Sequence, residues 1–181
     1  KFSGGFGLNA TYKGFDMSMF FNFMYDFDVL NANKIMLTTW ADNKENNFLM
    51  DIASDKRWRN FDDMGNEIRY SPEVLAEFNK NATMWNPTSI GRPICMSYAV
   101  EDGSFLRLNS ATLGYTLPSV WTKKVGLSKV RFYVSGNNLF TLTGYSGYDP
   151  EVNIATGLTP NIDYNRYPRS RTYTFGAQLT F

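Results

Sequence analysis

Histidine is missing from all 181 residues, and cysteine occurs once, at Cys95. The first absence removes the commonest general base and the commonest metal ligand. The second rules out an internal disulfide and any cysteine-cluster metal site, and Cys95 is expected to be a buried, inert thiol. Charge is sparse too: charged residues are 19% of the chain and the net charge is +1. Without a basic field or an acidic tail, no nucleic-acid partner is expected. No stretch approaches the ~20 consecutive apolar residues of a membrane helix. No signal peptide precedes the first apparent strand, so Lys1 is expected to open a fragment or a processed piece.

Aromatic residues are plentiful instead, at 17%. Such a chain is too apolar for disorder. Its strongest signal is strict alternation, the mark of strands with two unlike faces. In Arg171 to Phe181 the odd positions are Tyr173, Phe175, Ala177, Leu179 and Phe181, and the even ones are small or polar. Phe15 to Val29 places Phe15, Met17, Met19, Phe21, Phe23, Tyr25, Phe27 and Val29 on one face, with Asp16, Ser18, Asn22, Asp26 and Asp28 on the other, where Phe20 and Met24 also fall. Phe6, Leu8, Ala10 and Tyr12 alternate in the segment before it, and Lys13-Gly14 suits a tight hairpin pairing Tyr12 with Phe15. Two more strands are expected at 104–117 and 129–142. Leu106 and Leu108 fall out of phase with Leu113 and Tyr115, which a bulge near Asn109 or Ser110 would explain.

The strands expected at 2–12, 15–29, 104–117, 129–142 and 171–181 are joined alternately by short and long connections, the long ones at about 30–103 and 143–170. Outer-membrane barrels have that rhythm, with short periplasmic turns and long extracellular loops. Within the first long loop, Ser71-Pro72 reads as the N-cap and first position of a short helix reaching Phe78.

Alternation alone also fits a soluble sandwich. Three features favour a membrane. Asp16, Asp26, Asp28 and Arg131 all fall on the polar parity, and an Arg or Lys facing lipid at the midplane would cost ~2–4 kcal/mol. Aromatics gather near the strand ends, with Tyr12, Phe15, Tyr115 and Phe181 at one boundary and Phe27, Phe140 and Tyr173 at the other. The strands also reach the ~9–11 residues that a membrane strand needs. Hydrocarbon tolerates no open strand edge, and five strands are fewer than the ~8 of the smallest bacterial barrels. The fold class expected is therefore all-β, an antiparallel transmembrane barrel of which this chain supplies about five strands.

Particular motifs narrow the class. Asp102-Gly103-Ser104-Phe105-Leu106-Arg107-Leu108 followed by Leu113-Gly114-Tyr115-Thr116-Leu117-Pro118, then Arg131-Phe132-Tyr133-Val134-Ser135-Gly136-Asn137-Asn138-Leu139-Phe140, then Ser146-Gly147-Tyr148-Asp149-Pro150-Glu151-Val152 and Asp163-Tyr164-Asn165-Arg166-Tyr167-Pro168 lead to a last strand ending Leu179-Thr180-Phe181. In that order they resemble the C-terminal barrel portion of SusC/RagA-type TonB-dependent outer-membrane transporters. Phe105 and Asn137 stand where Tyr and Gln are commoner, and residues 1–101 match only loosely. The resemblance implies a 22-stranded barrel with a plug, importing oligosaccharides or peptides (glycan ahead of peptide on family grounds) with energy relayed by TonB. It also implies a SusD-like surface lipoprotein as lid, and contact with lipid and lipopolysaccharide in a bacterial outer membrane.

No catalytic constellation, cofactor or metal site is expected, and the chain is not read as an enzyme. Asp62-Asp63 and Asp26/Asp28 lack a partner acid, base or metal site, and Gly4-Gly5-Phe6-Gly7 lacks the P-loop lysine and the Rossmann spacing. It is read as a run of small lumen-facing positions near the plug. Trp40, Trp58, Trp85, Tyr145 and Tyr148 are candidate loop contacts for substrate or lid, or else loop packing. Tyr148-Asp149-Pro150-Glu151 reads as a turn that holds an outer loop. Tyr173, Phe175, Leu179 and Phe181 resemble a C-terminal assembly signal, so loss of Phe181 is expected to impair insertion. A passive porin and a soluble lectin-like β-protein are the competing readings.

Overall fold

The computed structural model describes residues 1–39, 47–52, 55–89, 94–152 and 161–181, with backbone only at Ser89. Its elements are β1 (Phe2–Tyr12), β2 (Phe15–Tyr25), β3 (Asp28–Asn31), α1 (Ala32–Met36), α2 (Pro72–Phe78), β4 (Val100–Asp102), β5 (Phe105–Thr116), α3 (Ser119–Thr122), β6 (Lys129–Thr143), β7 (Ile162–Asp163) and β8 (Thr172–Thr180). They divide into two compact units. One holds Lys1–Val29, Glu101–Asn161 and Arg166–Phe181, and the other Leu30–Val100 and Ile162–Asn165.

The first unit is built on a five-stranded sheet in the order β1-β2-β5-β6-β8, antiparallel throughout. The β1–β2 turn is two residues long, with Lys13 at φ 47° and Gly14 at φ 90°. Both being positive marks the primed turn whose twist matches the flanking strands, and Tyr12 pairs with Phe15 across it. From there one apolar row crosses the sheet from Tyr12 through Phe15, Tyr115 and Phe132 to Ala177. The Phe15 and Tyr115 rings meet at 4.5 Å.

That apolar face carries no second layer of packed protein among the described residues of this unit. Phe132 is 51% exposed and Phe175 80%. So broad an apolar face is out of place in water and in place in hydrocarbon. Strands β1 and β8 each pair on one side only. Their free backbone groups require further strands once lipid surrounds them, so the sheet is one sector of a larger barrel.

The phase break in β5 is a bulge. Phe20 and Phe21 of β2 face Ser110 and Leu108, skipping Asn109, and β6 shifts opposite the same place, where Asn138 sits at φ 52°. The extra residue returns Leu106 and Leu108 to the apolar face, opposite Phe23 and Phe21.

The strand expected to run from Phe15 to Val29 stops at Tyr25. Asp26 adopts φ 61°, and its N–H donates to Ser104 Oγ at 3.1 Å. The chain then turns inward. Phe27 and Val29 are 8% and 0% exposed and form the unit's core with Phe105, Tyr145 and Val152. Phe27 is thus a core residue and not a boundary aromatic.

In the second unit β3 and β7 form a short parallel pair, Leu30 with Ile162 and Asn31 with Asp163. Asn31 caps α1 by accepting from the Lys34 N–H at 3.1 Å. Helix α2 has Pro72 in its first turn, as its sequence signals, but the Ser71 side chain makes no capping bond. Buried Asn79 ties the helix end to the irregular segment at Arg59. It accepts from the Arg59 N–H at 2.7 Å and donates to the Arg59 and Leu75 carbonyls at 2.9 Å each. Cys95 is exposed, against the expected burial. It lies in the irregular stretch before the turn Ser97–Ala99.

Candidate functional site: the polar face and the loop folded over it

Positions opposite in parity to the apolar rows make the other face of the sheet. Near the Lys13-Gly14 turn, Arg131 of β6 reaches across β5 to Asp16 of β2 in a two-pronged ion pair, with Nε to Oδ1 at 2.9 Å. Gly114 lies between them. A Cβ there would sit 2.6 Å from Asp16 Oδ2 and meet the guanidinium as well. The Arg131 guanidinium also lies 5.2 Å from the Tyr133 ring centroid. Further along are Ser18, Ser110, Thr112, Ser135, Thr172 and Thr174, a wall of hydroxyls.

At the far end the segment after β6 folds back over this polar face. Thr143 Oγ1 donates to the Ser104 carbonyl at 2.8 Å and accepts from the Tyr145 N–H at 3.1 Å. Ser146 is held by Glu101, its N–H on one carboxylate oxygen at 3.0 Å and its hydroxyl on the other at 2.8 Å. Tyr145 is thereby driven into the core and is only 6% exposed.

The anchor of this loop is Arg107, which is 2% exposed. It donates to Asp149 and lies 3.5 Å from Glu151. Glu151 also receives Arg169 at 2.8 Å, and the Glu151 N–H donates to Asp149 Oδ1 at 2.9 Å. Burial disfavours the charged form of Asp149. The Arg107 hydrogen bond, the Glu151 and Arg169 amides and the Arg107 charge together outweigh it, so the carboxyl titrates below its ordinary value. A cleft of about 280 Å³ opens beside the anchor, lined among others by Thr141, Thr143, Tyr148 and Arg171.

The candidate contact residues divide. Tyr148 is 82% exposed at the loop tip. Tyr145 packs the core instead, because its ring is what the loop buries against Phe27 and Phe105. In the second unit Trp58 is 41% exposed beside a cleft of about 300 Å³ with Phe61 and Asn86. Trp85 is committed to packing, with Nε1 on the Thr38 carbonyl at 3.2 Å and its ring edge-on to Tyr98. Trp40 lies outside the described residues. Tyr173, Phe175, Leu179 and Phe181 all project, 61%, 80%, 52% and 90% exposed. Of Gly4, Gly5 and Gly7, only the last two have the parity of the polar face.

Sequence reasoning missed Arg107 as an anchor. The available signal was an arginine between two leucines in the phase-shifted half of β5, where a charge on the polar face needs a partner, together with an acidic pair one loop away.

No family model matches the chain. TonB-dependent receptor P3 of Formosa agariphila is 34% identical over 186 residues, which take in 99% of this chain and 16% of that receptor. TonB-dependent receptor SusC of Bacteroides thetaiotaomicron is 38% identical over 88 residues, 46% of this chain and 8% of its own length. Among solved structures, the RagAB peptide importer in its closed-closed state superposes with a TM-score of 0.72 at 25% identity, over 99% of this chain and 17% of the importer chain. The chain thus spans about a sixth of the relatives it matches end to end, and those relatives are receptors and importers rather than enzymes. With its five-stranded antiparallel sector and uncovered apolar face, the chain belongs to the SusC/RagA-type TonB-dependent receptors and forms part of their transmembrane β-barrel.

Proposed function

We propose that the transporter containing this chain imports oligosaccharides or peptides across the bacterial outer membrane, driven through TonB, with a SusD-like surface lipoprotein as its lid. The observation that carries this reading is the loop 144–152. It is fixed by Arg107 over the polar face of a sheet whose other face is bare and apolar. A wall that is oily outside and obstructed inside suits a gated importer better than an open pore. The relatives support the same reading, since RagAB is a peptide importer.

In this proposal the 30–103 and 143–170 connections are extracellular, and the 13–14 and 118–128 turns are periplasmic. The five strands stand within one barrel domain, beside a plug and further strands of the same protein, in contact with lipid and lipopolysaccharide. Tyr148 and Trp58 are the candidate contacts for substrate or lid, and β8 with Tyr173, Phe175, Leu179 and Phe181 is the assembly signal. A proton-motive-force uncoupler tests the coupling. Uptake by cells carrying the full transporter should fall to the level of a TonB deletion. Uptake that continues at its full rate would instead identify a passive porin.

A further inference from the structure

Alternation assigns each side chain to a face but does not fix register. A slip of one residue exchanges the faces, whereas a slip of two leaves both intact. The two-residue turn sets the register of β1 against β2. Two other seams, β2–β5 and β6–β8, join strands separated by long connections, where no tight turn sets the pairing. At both, a glycine on the polar face lies beneath side chains of other strands, the Tyr133 ring over Gly176 and the Asp16–Arg131 pair over Gly114.

At β6–β8, Tyr133 pairs with Gly176, and a Cβ on Gly176 would stand 2.5 Å from the tyrosine oxygen and 2.6 Å from a ring carbon. At β2–β5, Asp16 pairs with Gly114, over which it meets Arg131. The two glycines belong to one transverse row, Asp16–Gly114–Tyr133–Gly176, a side chain and a glycine in turn. A two-residue slip of β8 would bring Thr174 or Gln178 beneath Tyr133, and the Cβ of either would occupy the space of the ring.

We propose that Gly114 and Gly176 are register keys, and that correct insertion of the transporter depends on Gly176 receiving the Tyr133 ring. Glycine inside a strand is normally a weakness that alanine relieves. A harmful Gly176→Ala would therefore carry information.

The test uses the full-length transporter in its own outer membrane, reading the folded fraction by heat-modifiability and the register by a disulfide between Ser135→Cys and Thr174→Cys, which are paired positions. Gly176→Ala should lower the folded fraction several-fold and weaken that cross-link. Thr174→Ala, on the same face two residues away, should leave the folded fraction unchanged. Adding Tyr133→Ala to Gly176→Ala should restore both readouts. Normal folding and cross-linking in Gly176→Ala, or a double variant no better than the single, would overturn the proposal. Neither readout depends on import, so failure here leaves the transport reading standing, and the converse holds.

Discussion

Arg107 shows how one side chain fixes a loop. Buried at 2% exposure with Asp149 and Glu151 around it, it cannot be removed cheaply, because its loss strands carboxylates in a poorly solvated place. Breaking such a pair costs ~3–5 kcal/mol, so Arg107→Ala should release residues 144–152. Limited proteolysis of the membrane-embedded protein would detect this as new cleavage in the loop, and a cleavage pattern identical to wild type would refute the anchor. The pH dependence follows from the same group. The folded-state pKa of Asp149 lies below the unfolded value, which is ~3.9. Its contribution is therefore complete above that unfolded value and is lost as the pH falls through the lower folded one. Loop protection should thus be flat from neutral pH down to ~5 and fail only in stronger acid, and a loss between pH 7 and 5 would point to another group. This residue pair was half legible: Asp149 reads as a turn former from its neighbours Tyr148 and Pro150, but that its carboxylate reaches a strand 42 positions away depends on how the loop folds back.

Among the elements, the strands were the most legible part of the chain because alternation reports a local choice of faces. Even the bulge in β5 left a trace, as Leu108 and Ala111 fall on one face only when a residue is skipped. The break after Tyr25 left none. Phe27 and Val29 continue the alternation without fault, and only the tertiary core formed with Phe105 and Tyr145 draws them off the sheet. By sequence the 30–103 region reads as a loop with one helix. Its order comes from side-chain staples such as Asn79 to Arg59, which no periodicity announces. Strand β8 offers an element-level prediction, since Phe181 is 90% exposed at the strand's end and is proposed as part of the assembly signal. Phe181→Ala in the full transporter should reduce its outer-membrane level while leaving the transport rate per inserted molecule unchanged. Normal levels would remove Phe181 from that role.

At the scale of the whole molecule the argument rests on what surrounds the sheet. Phe132 and Phe175 stand apart from any second layer among the described residues of their unit, and Thr174 lies one residue from Phe175 on the opposite face. A charge tells the two faces apart. If the apolar face meets lipid, Phe175→Arg places a guanidinium in hydrocarbon, at ~2–4 kcal/mol near the midplane and ~0–1 near either boundary. Thr174→Arg places the same group on the polar wall beside Ser135, where water and hydroxyls solvate it. The first variant should therefore lower the urea midpoint of the refolded barrel in bilayers markedly, and the second only slightly. If the Thr174 face met the lipid instead, the order would reverse, and with lipid on neither face the two exposed positions would respond alike. The sign of the difference between two adjacent positions thus decides which side of this sheet faces the membrane.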